Sequence, residues 1–221
     1  MISSVLVIFD CDGVLVDSEG ISNEVLASEL SALGLPISGE EAHDAYRGMF
    51  LTEIVADAER RLGAALPADF LERFERMRED AFRARLAPVP GAAEAVRAVV
   101  ALGYDVCVAS QGRLSKTELT LSLTGLRDLF GPDAVFSAHS VGRGKPAPDL
   151  FLFAAATMGA EPDQCTVVED TMIGVQAALA ADMRAIAYVP GDDDGDAFRA
   201  AGVETVGRLE AVAGVLAGER R

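Results

Sequence analysis

The hydrophobic pattern divides the chain into three stretches. Residues at about 4–9 form a short continuous apolar run, Val5-Leu6-Val7-Ile8-Phe9 at its centre, which reads as a strand buried on both faces. From roughly 17 to 87 only helical periodicity appears. Gly20 to Leu33 is periodic and stops at Gly34 and Pro36, Ser38-Gly39-Glu40-Glu41 is a capping box, and Leu51 to Leu62 and Pro67 to Leu86 complete the block. Phe70, Phe74, Met77 and Phe82 recur at helical spacing and are assigned to core packing. Beyond Pro88-Val89-Pro90-Gly91 the pattern alternates. Helices at 91–102, 114–124, 148–159 and 171–181 are interleaved with strands at 104–109, 134–138, 166–169 and 184–189, and a shorter pair follows.

Strict alternation of helix and strand predicts an α/β fold with a doubly wound, Rossmann-like parallel sheet. The helical block cannot belong to that sheet. The expected organisation is a core of residues 1–16 and 88–221, with an inserted small all-helical cap domain of residues 17–87.

Composition narrows the classes. A chain of 221 residues, half of them hydrophobic, can bury a substantial core. A net charge of −16 argues against nucleic acid and against anionic membranes as partners. No apolar run reaches the roughly 20 residues that a membrane span needs, and no signal-peptide pattern opens the chain. Cys11, Cys107 and Cys165 are odd in number and lie in or beside apolar runs, as buried thiols of a reducing cytoplasm do. A small anionic substrate is still compatible with that charge, because a metal held at a local site reverses the sign of the field.

The chemistry sits at strand ends. Asp10 and Asp12 follow strand 1, Ser110 follows the strand at 104–109, Lys145 follows Val135-Phe136, and Glu169-Asp170 follows Thr166-Val167-Val168. In a parallel sheet these ends share one edge, where ligands bind. Ionised carboxylates beside a core demand pairing or a metal. Asp10 and Asp170, with Glu169, supply the oxygen ligands that Mg²⁺ takes. A lysine and a hydroxyl suit the oxygens of a transferring phosphoryl group, and a carboxylate can act as nucleophile.

Other motifs read as ordinary. Only Lys116 and Lys145 are lysine among 19 basic residues, so a persisting lysine is notable; Lys116 reads as a surface lysine. Gly142-Arg143-Gly144-Lys145 is not a phosphate loop of the Walker type, since Pro146 stands where Ser or Thr is required. Asp192-Asp193-Asp194-Gly195-Asp196 lacks the spacing of a calcium loop and reads as a solvated turn. His43 and His139 belong to no nucleophile–base pair.

Taken together, the motifs resemble the haloacid dehalogenase superfamily, specifically its phosphatase-like members with a helical cap after strand 1 (subfamily IA, the branch of β-phosphoglucomutase and phosphogluconate phosphatase). The similarity spans nearly the whole chain. It is carried by Asp10-Cys11-Asp12-Gly13-Val14-Leu15-Val16-Asp17-Ser18, Ser110-Gln111-Gly112, Gly144-Lys145-Pro146-Ala147-Pro148-Asp149, and Val168-Glu169-Asp170 with Gly174 and Ala177-Ala178. The resemblance implies that Asp10 is the nucleophile and Asp12 the general acid and base. It implies that Ser110 and Lys145 hold the phosphoryl group, that Asp10, the Asp12 carbonyl, Glu169 and Asp170 hold Mg²⁺, and that Arg47, Gly48, Gln111 and Gly112 bind substrate.

Departures from the pattern select a branch. Dehalogenases lack an acid at the position of Asp12, and the phosphonate-cleaving branch uses a cap lysine, whereas no lysine precedes residue 116. Ser22 stands where the mutase branch tends to carry a cap histidine, and Leu51 where it carries a second basic residue. The expectation is a Mg²⁺-dependent phosphatase of a sugar phosphate or sugar-acid phosphate acting through an aspartyl-phosphate, with a small phosphorylated metabolite as partner and a monomer or weak homodimer as its state. The alternatives are a β-phosphoglucomutase-type phosphomutase and a non-catalytic binding protein on the same fold.

Overall fold

A computed structural model describes residues 5–46, 49–191 and 195–218. Arg47 and Gly48, assigned above to substrate binding, and Asp192, Asp193 and Asp194 of the acidic turn lie outside the described residues. The chain divides into two compact units, one of Met1–Val16 with Pro88–Arg221 and one of Asp17–Ala87.

The first unit is built on a six-stranded sheet in the order β3-β2-β1-β4-β5-β6, parallel throughout. The strands are β1 (Leu6–Phe9), β2 (Asp105–Ser110), β3 (Val135–Ser137), β4 (Cys165–Glu169), β5 (Arg184–Tyr188) and β6 (Glu204–Val206). Every residue of β1 is fully buried, as expected of a central parallel strand with helices on both faces. The crossovers run through α5 (Ala92–Ala101), α6 (Leu114–Leu123), α7 (Asp149–Met158), α8 (Met172–Ala180) and α9 (Asp196–Ala200), and α10 (Val212–Gly218) ends the described chain.

Strand order reverses at β1. The chain steps outward through β2 and β3 on one side, then returns to place β4 on the other. Such a switch point opens a crevice at the carboxyl ends of the flanking strands. Register makes the placement specific. Phe9 is level with Val108 of β2 and Val168 of β4, so the next residue, Asp10, stands level with Ala109 and Glu169. The Asp10 N–H donates to the Val168 carbonyl at 2.9 Å.

One boundary differs from the sequence reading in a way that bears on the site. Ser110, read as following the strand at 104–109, is the last residue of β2, as Glu169 is of β4. Both still pair with their neighbours, Ser110 with Ser137 and Glu169 with Ala187. A polar residue held by a strand ladder is fixed more firmly than one on a loop.

The second unit is all-helical, with α1 (Glu19–Ala32), α2 (Gly39–Tyr46), α3 (Leu51–Leu62) and α4 (Phe70–Arg85). The capping box forms before α2: the Ser38 N–H donates to Glu41 Oε2 at 2.8 Å, and the Glu41 N–H to Ser38 Oγ at 3.1 Å. Its core gathers Leu26 and Leu30 of α1, Tyr46 of α2, Ile54 of α3 and Phe70 and Phe74 of α4. Phe82 is also buried, and Met77 packs against the cluster half-buried. Glu29 is buried in α1 and takes the Arg73 guanidinium of α4 at 2.5 Å. His43 Nδ1 lies 3.2 Å from Asn23 Nδ2, a contact between α1 and α2 within this unit. Among the described residues no helix is long and apolar enough to cross a membrane.

Candidate active site

β1 ends in a tight turn that sets Asp10 and Asp12. The N–H groups of Leu15 and Val16 both donate to the Cys11 carbonyl, at 2.9 and 3.0 Å, and the Gly13 N–H to the Val16 carbonyl at 3.0 Å. Gly13 has φ +79°, and a Cβ there would lie 2.4 Å from Asp170 Oδ2. Glycine is therefore required twice over, for the left-handed backbone and for the close approach of the Asp170 carboxylate.

Lys145 is at the centre. It is 6% exposed, and its ammonium donates to Asp10 Oδ1 at 2.5 Å, Glu169 Oε1 at 2.6 Å and the Ala109 carbonyl at 3.2 Å. All three donor positions are satisfied, which is what a buried ammonium needs. It also lies 4.9 Å from the ring centre of Phe151. Burial alone would lower the lysine's pKa, but Asp10 and Glu169 outweigh that and hold it above its ordinary value.

Glu169 is held from the other side. Its Oε2 accepts from the Asp170 N–H at 3.0 Å, the Thr171 N–H at 2.9 Å and the Thr171 hydroxyl at 2.8 Å. Thr171 Oγ1 in turn accepts from the Gly174 N–H at 3.1 Å, capping α8. Gly174 is constrained by space: a Cβ there would sit 1.8 Å from Glu169 Oε1.

Asp10, Glu169 and Asp170 are all buried, and one carboxylate oxygen from each lies within 4.8 Å of the others. One lysine cannot balance them. Burial first, and then the neighbouring Glu169 and Asp12 charges, push Asp10 up from 3.8 to about 7 against the opposing pull of Lys145. An all-oxygen donor set carrying excess negative charge fits a hard divalent cation.

The second aspartate has its own partners. Asp12 Oδ2 accepts from the Ser110 hydroxyl at 3.4 Å, and Asp12 Oδ1 is ion-paired with Lys116. Ser110 Oγ accepts from the Gly112 N–H at 3.0 Å, and the Gly112 carbonyl accepts from Ser137 Oγ at 2.7 Å. Gln111 Oε1 accepts from the Lys145 N–H at 3.1 Å, while its buried Nε2 has no hydrogen-bond partner among the described residues.

The structure thus brings together Asp10, Asp12, Ser110, Gln111, Gly112, Lys145, Glu169 and Asp170, all within the first unit. It also corrects the reading of Lys116 as a surface lysine. Lys116 is 8% exposed, and it faces inward on α6 with Thr117, Thr120 and Leu121. The signal was available: Lys116 lies one helical turn before Thr120 and in phase with the buried side of α6, not with its exposed Ser115 and Ser122.

Residues 5–182 match the family model described as "Hydrolase: haloacid dehalogenase-like hydrolase". Among curated proteins, the 6-phosphogluconate phosphatase of Escherichia coli (strain K12) is 31% identical over 180 residues, covering 80% of this chain and 79% of that protein. Hexitol phosphatase B of the same organism is 31% identical over 182 residues, covering 81% of each. Among solved structures, a putative β-phosphoglucomutase from Thermotoga maritima superposes with a TM-score of 0.79 at 26% identity, covering 96% of this chain and 98% of that one.

Proposed function

Since the chain belongs to the haloacid dehalogenase-like hydrolases, and relatives at this similarity are phosphatases of a sugar acid and of hexitols, we propose that it is a Mg²⁺-dependent phosphatase of a small sugar phosphate or sugar-acid phosphate. The observation that carries this reading is the Lys145 ammonium bridging Asp10 and Glu169 at the switch point of the sheet. In this reading Asp10 is the carboxylate nucleophile, Lys145 the phosphoryl-binding cation, and Asp10, Glu169 and Asp170 the metal-binding acidic cluster.

In this reading Asp10 Oδ attacks phosphorus, and the bond to the leaving oxygen breaks as an aspartyl-phosphate forms. Asp12 gives the departing alcohol its proton, then takes one from the water that attacks the aspartyl-phosphate, which releases phosphate and restores Asp10. Lys145 and the Ser110 hydroxyl are assigned to the phosphoryl oxygens, to which they turn from the Ala109 carbonyl and from Asp12 as charge spreads over the ester. Asp10, Asp170, Glu169 and the Asp12 carbonyl are the ligands assigned to Mg²⁺, which when bound offsets the excess negative charge of the cluster. The Gln111 Nε2 group, which has no hydrogen-bond partner among the described residues, supplies a donor for the ester, and Gly112 leaves room for it beside Ser110. Arg47 and Gly48, in the inserted unit that we assign as the cap domain, are given the role of reading the rest of the substrate.

The test is phosphate release with Mg²⁺ across sugar phosphates, sugar-acid phosphates and phosphoglycolate. Hydrolysis of one class well above the rest, abolished by Asp10→Asn, is expected. Conversion of β-glucose 1-phosphate to glucose 6-phosphate without phosphate release would replace the phosphatase reading with a mutase. Turnover retained in Asp10→Asn would refute the covalent route. Arg47→Ala is expected to raise KM for the preferred ester much more than for an aryl phosphate.

A further inference from the structure

The chain has two lysines, and the core unit buries each against one of the two aspartates that follow β1: Lys145 against Asp10, Lys116 against Asp12. A lysine on a helix ordinarily extends its ammonium to water. Lys116 does the opposite. Its side chain is 10% exposed and its ammonium meets Asp12 Oδ1, a partner 104 residues away in the chain.

Three further features make this a built contact. Lys116 shares the inward side of α6 with Thr120, whose Oγ1 lies 3.8 Å from Cys11 Sγ, so α6 is seated against the turn that carries Asp12. The lysine stem passes over Gly112, where a Cβ would lie 3.3 Å from Lys116 Cδ and 3.3 Å from Ser110 Oγ. The other Asp12 oxygen faces the Ser110 hydroxyl, which is itself anchored by the Gly112 N–H. Both oxygens of Asp12 therefore have partners in the segment 110–116.

We propose that Lys116 is a positioning residue for Asp12, setting the orientation in which that carboxylate serves the leaving oxygen of the ester; this rests on the phosphatase reading above. The phosphoryl group has Lys145 for its cation, so Lys116 acts through Asp12 and not on the substrate. The competing view is that Lys116 only ties α6 to the turn after β1.

Leaving-group dependence separates the two. The value of kcat/KM reports the steps up to departure of the alcohol. A sugar alkoxide needs a proton from Asp12 to leave, whereas p-nitrophenolate leaves without one. Lys116→Met keeps the length of the stem and removes the charge. With the best sugar phosphate of the panel, its kcat/KM is expected to fall by about 100-fold, in the range that a correctly placed general acid contributes. With p-nitrophenyl phosphate it is expected to fall a few fold at most. Lys116→Arg, which returns a cation, is expected to recover part of the selective loss. A thermal melt establishes that each variant folds; if Lys116→Met does not, the same ratio is read on Lys116→Gln.

Equal losses on the two esters would overturn the positioning role and leave a structural tie. No loss on either would overturn both views of Lys116 while leaving the phosphatase reading intact. Wild-type protein that hydrolyses neither ester would overturn the phosphatase reading itself, and the inference with it.

Discussion

Replacing Asp10 by Asn should stabilise the metal-free protein at alkaline pH. Asp10 is buried among Glu169, Asp12 and one ammonium, and burial is the largest cause of its rise from 3.8 to about 7. An acid whose pKa is raised on folding gives stability that is complete below its unfolded value and lost as pH rises through its folded value. Asp10 therefore costs nothing well below pH 3.8 and its full penalty above about 7, and that interval corresponds to about 4 kcal/mol. Asn has the same shape and does not titrate. Its advantage over wild type should widen by about 2–3 kcal/mol between pH 5 and pH 8, which for a chain of this size is about 5–10 °C in melting temperature.

The assay is urea unfolding in EDTA at the two pH values, followed by hydrogen exchange of peptides spanning β1 and β4, since two compact units need not unfold together. Adding Mg²⁺ at pH 8 should then raise the wild type, by about 2.7 kcal/mol at a hundredfold excess over its dissociation constant, and close the gap. Asp10→Asn should respond much less. A gap that stays constant with pH, or one that favours wild type more at pH 8 than at pH 5, would refute the reasoning. It would mean that the Lys145 pair outweighs burial and that no excess charge awaits a cation.

Gly174→Ala would place a Cβ 1.8 Å from Glu169 Oε1, so a loss of about 1–3 kcal/mol is expected from the urea midpoint, with a weaker Mg²⁺ response; an unchanged midpoint would show that the start of α8 can move aside. Arg73→Met leaves the buried Glu29 carboxylate without its 2.5 Å partner and should destabilise the helical unit by about 1–3 kcal/mol, whereas the double change with Glu29→Met should recover most of that loss in the same unfolding experiment. Burial pushes the Cys165 thiol up to about 11 and those of Cys11 and Cys107 higher still, so native protein at pH 8 should resist iodoacetamide and expose three thiols only on unfolding; rapid labelling of any one would contradict its buried, protonated state.

The sheet was legible because its strands are short apolar runs separated by helices, a pattern that only a parallel sheet buries on both faces. β1 and β4 were found within two residues, and α3 at its observed bounds, because Phe50 is extended before it and Gly63 takes φ +67° after it. Strand ends were harder. Ser110 looks like a loop residue by polarity, yet it remains in the ladder, as Glu169 does, because a buried polar side chain at a strand end is tolerated when its partners arrive from elsewhere. Those partners, Asp12 and Lys145, are 98 and 24 residues away in sequence, and no local pattern announces them.

Lys116 marks the same boundary from the other side. Its inward phase on α6 could have been read from the helix, but its target could not. Only the register of β1 against β2 brings the start of α6 beside the turn that carries Asp12. Charge then gives the arrangement its sense. Asp10, Asp12, Glu169 and Asp170 are four carboxylates, and Lys116 and Lys145 are two ammoniums, in a chain of net charge −16. Such a cluster repels a phosphate dianion until a divalent cation joins it. Two lysines against four carboxylates leave that imbalance in place. In the proposed reaction each lysine steadies the aspartate it pairs with, and the remaining negative charge is the reason a dependence on a metal is expected.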